Sequence, residues 1–383
     1  MERIGGIPQA GVGPVELVRL TDRPGPFATV YLATEPEVEN AAHRSLRAWK
    51  AVRAALAEAG CPDAVLERIE PLVPEAHTHG RCLAVVASEE GNLVVSHEHR
   101  PPPRDLGRWA PLPSLGPLLG GHQASPPHVV VLVDRVGADL VAVRRGRSDL
   151  HREAGGGTDP IRQVGAGGWS QRRYQQRAEN TWEHNADDVA AELAALVRGV
   201  RARVVVVAGD PRARQLLREA LPAAVLRILV EIEGGRGADG SATAVLDRVR
   251  DVVAGAVADD TAALVATFEQ GRGPRDRAVE GPAATVAALA RAQAETVLID
   301  DDVDDERVAW FGPEPGEVAL DPRTLVALGV GEPTEARLLD VVVHGALSTT
   351  PGVRTVSGDV GPTDGVGAIL RWPDRGRARL SPA

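Results

Sequence analysis

The chain has 383 residues, which is too long for one compact core of ordinary size, so two or three domains are expected. Its hydrophobic fraction of 43% and charged fraction of 25% are typical of a globular protein in water. A net charge of −10 argues against a protein that coats nucleic acid without selectivity. No apolar run is long enough to predict a membrane span, and no N-terminal secretory signal is apparent. The two cysteines have no CxxC spacing, so we expect a reduced, cytoplasmic protein without a disulfide framework or zinc site.

The first segment, residues 1–125, is predicted to be an N-terminal α/β domain. The pattern indicates a strand at 29–32, a helix from Ala41 to Ala59 and a hairpin of 81–87 with 92–96. One face of the helix is predicted to carry four apolar residues: Leu46, Trp49, Val52 and Leu56. A proline-rich run from Pro101 to Pro127 then breaks the regular pattern, which favours a boundary or linker there.

The middle segment, residues 126–270, is predicted to be a mixed-sheet α/β domain. Apolar runs indicate strands at 128–134, 139–143 and 204–207. Between the last two strands, apolar residues recur at helical spacing and predict a long basic helix: Tyr174, Ala178, Trp182, Val189, Leu193 and Val197. Strands and helices that alternate in this way are typical of a mixed α/β sheet.

The third segment, residues 271–383, is predicted to form a small C-terminal α/β/α sandwich. Its expected helices and strands alternate along the chain: a helix at 283–294, a strand at 295–300, a helix at 335–347, and strands at 354–357 and 367–372. The whole chain is therefore expected to be α/β, with three domains.

The motif most suited to chemistry is the predicted loop Gly167-Gly168-Trp169-Ser170-Gln171, which precedes the long helix. Paired glycines permit backbone angles and close approaches that side chains forbid. Trp169 on a loop would be available to stack on an unpaired base, and Ser170 is a plausible helix N-cap. The alternative is that Gly167-Gly168 is only a flexible connector and Gln171 an ordinary first-turn residue.

Four arginines near this loop carry charge suited to RNA phosphate: Arg162, Arg172, Arg173 and Arg177. Arginine is raised throughout the chain, which fits a GC-rich genome, so arginine abundance alone indicates little. The position of these four residues around a glycine-aromatic-amide loop is the more informative observation. Together they favour insertion of the loop into an RNA-lined cavity.

The order of three α/β segments, with a Gly-Gly/Gln loop at the head of a basic helix, resembles the archaeal and eukaryotic class-one release factors and Pelota. Within that superfamily, Gly167 to Tyr174 looks closest to the bacterial branch of Balon-type ribosome hibernation factors of actinobacteria. The resemblance covers most of the chain and is most specific in the middle segment. It implies a three-domain release-factor/Pelota-like architecture whose third domain faces a translational GTPase.

The resemblance also implies what the loop would do. In the release factors a Gly-Gly-Gln tip enters the peptidyl transferase centre, and its Gln places the water that attacks the peptidyl-tRNA ester. Here Trp169 stands where that Gln would follow, and Gln171 comes two residues later. A eukaryotic peptidyl-tRNA hydrolase of stalled ribosomes is similar in displacing its Gln. Gln171 is thus the candidate catalytic residue, and whether the chain is an enzyme stays open.

The leading hypothesis from the resemblance is a stress-response ribosome hibernation factor. It would bind the A site and peptidyl transferase centre independently of codon, since no stop-codon reader such as Asn-Ile-Lys-Ser occurs in the first segment. The implied partners are ribosomal RNA and elongation factor Tu or another translational GTPase, with no membrane. The alternative hypothesis is a peptidyl-tRNA hydrolase or rescue release factor in which Gln171 positions water.

Three other patterns favour no cofactor and no metal. The pairs His77/His79 and His97/His99 lack cysteine or carboxylate partners, so surface histidines are expected. Gly209-Asp210-Pro211 lacks a phosphate-binding fingerprint and predicts a strand-to-helix turn. The acidic run from Asp300 to Glu306 lacks EF-hand spacing, which favours a solvated loop or a partner-facing patch.

Overall fold

The computed structural model describes the following residues: 14–34, 40–74, 81–98, 102, 104–134, 137–144, 147–154, 182–234, 241–272, 277–300, 304–349, 352–356 and 360–373. They form two compact units. The middle unit is Ser125–Asp259, and the terminal unit combines Met1–Ala124 with Asp260–Ala383. The expected α/β class is confirmed, while the division at residues 125 and 270 into three domains stays a prediction. Among the described residues, no helix is both long enough and apolar enough to cross a bilayer.

The first part of the terminal unit is one sheet with helices. Its elements are α1 (Pro14–Thr21), β1 (Phe27–Ala33), α2 (Ala41–Glu58), α3 (Asp63–Ile69), β2 (Cys82–Ser88), β3 (Leu93–Glu98), β4 (Leu106–Ala110) and α4 (Gly116–Ala124). The four strands are all antiparallel, in the order β3-β2-β1-β4. The predicted strand, helix and hairpin of this segment are confirmed.

Two expectations for this segment were wrong in part. Trp49, Val52 and Leu56 are buried on α2, but Leu46 is 40% exposed, and Ser45 takes its place on the buried face. The proline-rich run is also not an irregular linker throughout. It contains β4, which pairs with β1, and α4, because its prolines fall outside the strand and at the start of the helix.

The middle unit is a five-stranded mixed sheet with helices. Its elements are β5 (His128–Val133), β6 (Ala138–Arg144), β7 (Arg147–Ala154), α5 (Trp182–Val200), β8 (Val204–Gly209), α6 (Pro211–Ala220), α7 (Ala223–Leu226), β9 (Leu229–Glu231) and the start of α8 (Ser241–Gly271). The strand order is β7-β6-β5-β8-β9, with β5, β8 and β9 parallel and β5, β6 and β7 antiparallel. The predicted mixed sheet is confirmed.

The last part of the terminal unit continues from α8. Its elements are β10 (Ala278–Glu280), α9 (Pro282–Ala290), β11 (Ala294–Ile299), β12 (Val308–Phe311), β13 (Val318–Ala319), α10 (Pro322–Ala327), β14 (Thr334–Arg337), α11 (Leu338–Ser348), β15 (Gly352–Thr355) and β16 (Val366–Leu370). One sheet has the order β10-β16-β11-β15, and a second, small sheet has the order β13-β12-β14.

The larger of these two sheets carries helical residues on both faces, as a sandwich requires, but one of these layers comes from α8, which precedes the predicted segment 271–383. Val286 and Leu289 of α9 and Val342 of α11 pack on one face, and Phe268 of α8 packs with Leu298 on the other. Two predicted boundaries were wrong. The helix expected at 283–294 ends at Ala290, since Ala292 has a positive φ. The helix expected from 335 begins at Leu338, because Thr334–Arg337 pairs with β12 as a strand.

The two ends of the chain share one hydrophobic core. Along β1, alternate residues face opposite sides of the sheet: Ala28, Val30 and Leu32 pack under α2 and α3. Phe27 and Tyr31 face the other side and pack with Leu339, Val342 and other residues of the last segment. Each buried large side chain of this kind contributes roughly 1.5–3 kcal/mol. Both faces of β1 are therefore covered, which explains why all but one of its residues are buried.

Candidate functional site

The predicted RNA-facing loop lies between two well-packed elements of the middle unit. Strand β7 ends at Ala154, and α5 begins at Trp182. The loop residues proposed from sequence all fall between these points and lie outside the described residues: Arg162, Gly167, Gly168, Trp169, Ser170, Gln171, Arg172, Arg173 and Arg177. What the structure describes is the scaffold from which this segment departs and to which it returns.

The sheet side of the scaffold is held by an apolar central strand. All six residues of β5, from His128 to Val133, are buried. The strand pairs with β6 on one side and β8 on the other, so none of its backbone edge is open. Strand β7 is then added outside β6, and Ala154 at its end pairs with Ala138.

The predicted apolar stripe packs α5, the helix that follows the loop, onto the sheet. Val189 and Leu193 of α5 are fully buried, and Val197 is half-buried, so this part of the stripe is confirmed. They pack on alternate residues of β5 and β6, among them Val131 and Leu140. Tyr174 and Ala178 of the same predicted stripe lie outside the described residues.

An ion pair connects the two sides directly. Arg152 Nε on β7 lies 3.8 Å from Glu192 Oε1 on α5, with the side chains 30% and 19% exposed. A partly exposed pair of this length contributes at most about 1 kcal/mol. The ion pair matters because it connects β7 to α5, the two elements that precede and follow the predicted loop in the chain.

Charge is divided unevenly between the two units. The middle unit contains 19 basic side chains against 18 acidic ones, whereas the rest of the chain has 24 against 35. The net charge of −10 therefore comes from the terminal unit. A phosphate backbone would be repelled by the terminal unit and would meet no net repulsion from the middle one.

Sequence reasoning missed a further group of arginines in the middle unit. Arg198, Arg201 and Arg203 are all exposed and lie where α5 ends and β8 begins. Because α5 has 19 residues, they lie ~28 Å along the helix from its first residue, Trp182.

The turn Gly209-Asp210-Pro211 leads from a strand into a helix, as predicted. Asp210 caps α6, and its carboxylate accepts hydrogen bonds from the backbone N–H groups of Arg212 at 2.9 Å and Ala213 at 3.1 Å. A Cβ on Gly209 would stand 1.8 Å from the Val133 carbonyl oxygen, so only glycine allows this approach. The Asp210 carboxylate already accepts the N–H groups at the N-terminus of α6, so these donors are not available to a phosphate.

The acidic run was expected to be a solvated loop or a partner-facing patch. Asp304 and Glu306 are exposed, as a solvated loop requires, and they also pair with arginines. Arg108 Nη2 donates to Glu306 Oε1 at 3.2 Å, and Arg104 Nη2 to Asp304 Oδ1 at 2.5 Å. Asp305 accepts from Arg307, which holds the pKa of this carboxyl below its usual range. These acids pair with arginines of their own chain, and two of the arginines come from the first segment. Asp301 and Asp302 lie outside the described residues.

A buried carboxyl lies behind these ion pairs. Ser114 Oγ donates to Asp340 Oδ2 at 2.9 Å, and Arg337 Nη1 lies 3.8 Å from Oδ1. Burial raises the pKa of Asp340 to about 6, while Arg337 and Ser114 act in the opposite direction. The carbonyl oxygen of Ser114 also accepts from the Tyr31 hydroxyl at 2.8 Å. Ser114 thus links β1 of the first segment to α11 of the last.

The two histidine pairs are not brought together as a described site. His97 lies half-buried on β3, and His77, His79 and His99 lie outside the described residues. Both cysteines are buried and unbonded to each other. Burial raises the pKa of the Cys61 thiol to about 11 and that of Cys82 further still, so neither is a thiolate at neutral pH.

The mixed sheet of the middle unit lies in the part of the chain that a family model matches. Residues 127–274 match the model of bacterial archaeo-eukaryotic release factor family 2. The match covers less than half of the chain, but it includes the whole predicted loop and both elements that flank it. Residues 127–274 are therefore release-factor-like, and they include the predicted loop.

Other comparisons extend over more of the chain. The uncharacterized protein Rv2629 of Mycobacterium tuberculosis is 27% identical over 361 residues, which cover 91% of this chain and 94% of that protein. A ribosome-bound archaeal Pelota is similar at 16% identity and a TM-score of 0.38, over 77% of this chain and 73% of the Pelota. A Saccharomyces cerevisiae translation termination-like factor shows 10% identity and a TM-score of 0.35, over 65% of this chain and 64% of that factor.

Proposed function

We propose that this release-factor-like chain associates with the ribosome as a hibernation factor. It would occupy the A site and the peptidyl transferase centre independently of codon, in the cytoplasm of stressed cells. The observation that carries the proposal is the loop Gly167 to Gln171 inside the segment that matches release factor family 2. The loop keeps the glycines that permit close approach and displaces the amide that would position water.

In this proposal each residue type of the loop makes a different kind of contact with ribosomal RNA. Gly167 and Gly168 allow the backbone to approach ribosomal RNA, and Trp169 stacks on an unpaired base. Ser170 begins the helix, and Arg162, Arg172, Arg173 and Arg177 pair with phosphate. The ion pair between Arg152 and Glu192 supports this role, because it ties together the two elements from which the loop extends.

The charge of the two units supports a division of partners. The middle unit would contact RNA, since its basic and acidic side chains nearly balance and four of its arginines are close to the loop in the sequence. The acidic terminal unit would face protein, and residues 271–383 would contact elongation factor Tu or another translational GTPase. We further propose that 1–125, 126–270 and 271–383 are the functional divisions of the chain.

Co-sedimentation with vacant ribosomes tests the proposal. The full chain is expected to pellet with ribosomes that carry no messenger RNA, and Trp169→Ala should weaken this binding by about tenfold, the value of one base-stacking contact of ~1.4 kcal/mol. Trp372→Ala is the matched control, because Trp372 is half-exposed at the other end of the chain. Failure of the wild-type chain to pellet with ribosomes would reject ribosome association itself.

A second candidate is favoured by one observation, the amide of Gln171 only two residues beyond the usual position. In that case the chain is a peptidyl-tRNA hydrolase or rescue release factor, and Gln171 positions the attacking water. Single-turnover release of peptide from stalled ribosomes separates the two functions. The hydrolase requires release that is lost in Gln171→Ala while ribosome binding is kept, whereas the hibernation factor releases no peptide with either chain.

A further inference from the structure

A groove of about 890 Å³ opens in the terminal unit, away from the loop of the middle segment. Its sides come from the turn after α1, the residues after β4, the end of β12 and the start of β14, and its floor includes α11. The volume falls in the range of sites that hold small ligands or a few side chains of a peptide. It lies within one compact unit whose first and last segments share a core, so both sides of the groove belong to a single packed body.

The walls of the groove are unusually rich in proline. Five prolines line it: Pro24, Pro26, Pro111, Pro313 and Pro315. A proline has no backbone N–H but keeps its carbonyl, and its ring fixes the local backbone. Each lining proline therefore brings an acceptor and no backbone donor. These walls favour an occupant that supplies donors of its own.

Carboxylates give the groove a negative field. Asp22, Glu317 and Glu332 all line it. Glu317 Oε2 already accepts the Glu314 backbone N–H at 3.0 Å, whereas Asp22 and Glu332 have no hydrogen-bond or ion-pair partner in the part of the chain that the structure describes. The arginine on the lining, Arg23, is directed to Asn92, whose Oδ1 accepts from its Nη1 at 2.6 Å. The excess of unpaired carboxylate favours a cation and disfavours RNA.

An aromatic pair, Phe311 and His344, also lines the groove. The rings of Phe311 and His344 are 5.4 Å apart at their centroids and tilted by 55°. Burial lowers the pKa of His344, so at neutral pH the imidazole adds no positive charge to the groove. A planar cation can lie against such a ring while its N–H groups reach carboxylates beside it.

We propose that this groove docks a partner protein through an arginine side chain presented on an exposed peptide segment. A guanidinium has five N–H donors and no acceptor, which suits proline walls and three carboxylates. It is also planar, which suits the Phe311 and His344 rings, whereas a lysine ammonium would use the carboxylates alone. The site goes beyond the proposed ribosome contacts of the middle segment, because it lies in the acidic terminal unit and takes protein instead of RNA.

Fluorescence polarisation with the full chain tests this docking. The probe is a fluorescein-labelled set of nonapeptides with a central arginine and varied small or apolar flanks, and the matched set carries citrulline, the uncharged isostere, at the centre. Arginine peptides are expected to bind, and citrulline should weaken binding by about tenfold. Equal binding of both sets, or no binding of any arginine peptide, overturns the proposal.

Paired variants locate the binding on the groove. Asp22→Asn with Glu332→Gln is expected to lower the affinity for arginine peptides by about tenfold. Glu269→Gln with Glu295→Gln removes the same charge from two exposed positions outside the groove and should leave the affinity unchanged. If both double variants lose affinity equally, the binding reflects net charge and the proposal fails. Concentration-dependent dimers that are disrupted only by the groove variant would assign the groove to a second copy of the chain and also overturn it.

Discussion

At the scale of single residues, Asp340 is the group whose surroundings most oppose its ordinary charge state. It is buried, hydrogen-bonded to Ser114 and 3.8 Å from Arg337, and burial raises its pKa to about 6. Because the folded-state value lies above the unfolded one, the folded chain holds more protons between about pH 4 and pH 6. The contribution of this group to stability is therefore present below that window and is lost as the pH rises through it.

Asp340→Asn should remove this pH dependence. The amide keeps the shape and can still accept from Ser114, so the variant should gain stability relative to wild type by up to about 3 kcal/mol between pH 4 and pH 7, at ~1.4 kcal/mol per unit of pKa. Urea unfolding at a series of pH values measures the difference. Glu295→Gln, at an exposed position on β11, is the control and should follow the wild-type curve. A difference between Asp340→Asn and wild type that does not change with pH would contradict the expectation.

The arginines beside the loop give a second prediction at this scale. If Arg172 and Arg173 pair with phosphate, replacing both by alanine should weaken ribosome binding and flatten its dependence on salt by about two units of slope, roughly one per phosphate contact. Binding measured from 50 to 200 mM salt provides the slope. Arg323→Ala, an exposed arginine of the acidic terminal unit, should leave it unchanged. An unaltered slope in the double variant would show that another surface meets the RNA.

At the scale of elements, sequence patterns succeeded where burial gives an element a simple pattern. The continuous apolar run of β5 predicted a central strand because both of its faces are buried, and the stripe on α5 predicted its buried face because that helix packs on one core. The long α8 escaped prediction. Val245, Val249 and Val253 pack in the middle unit, whereas Phe268 packs in the terminal unit, and small exposed residues separate them. Two short stripes on one helix do not give a single periodic signal.

Other elements were not predicted because they are short or because a distant strand or side chain determines their structure. The strands of the small sheet have as few as two residues, as in β13, so they show no alternation to detect. Thr334–Arg337 looked like the start of a helix until pairing with β12 fixed it as a strand. The partners of Asp304 and Glu306 lie about two hundred positions earlier in the sequence, and no local pattern could identify them. The candidate loop, in contrast, was predicted from its residue types and stays a prediction, because it lies outside the described residues.

Glycines in two elements give opposite predictions for the same substitution. Gly255 lies inside α8 with open space where a Cβ would stand, so Gly255→Ala should stabilise the chain by about 0.5–1 kcal/mol. Gly107 lies on β4, where a Cβ would stand 2.6 Å from Val52 Cγ1 of α2. Gly107→Ala should therefore destabilise by about 1–3 kcal/mol through overpacking. Chemical denaturation of both variants tests the pair, and a loss of stability in Gly255→Ala would mean that α8 is not a continuous helix at this point.

At the scale of the whole molecule, the shared core predicts that the first segment depends on the last. If residues 1–124 and 125–383 are produced as separate chains, they should co-purify, because Phe27, Tyr31 and Leu112 would otherwise leave large apolar surface exposed. Size-exclusion chromatography of the co-expressed fragments tests this, and the fragment 1–124 alone should aggregate or stay unfolded. Two separately eluting, folded fragments would contradict the expectation. Substitution of Phe27 by Asp should abolish co-purification, while Val18→Asp, at an exposed position of α1, should not.

The same core has a consequence for the synthesis of the chain. The ribosome releases β1 and β2 early, yet the α11 residues that cover one face of their sheet come more than two hundred residues later. At a synthesis rate of ~5–20 residues per second, that face of the sheet stays exposed for on the order of ten to fifty seconds before α11 is made. During this interval Phe27 and Tyr31 line an open apolar surface on a nascent chain. A trigger-type chaperone at the tunnel exit would have to shield it until the C-terminal segment emerges.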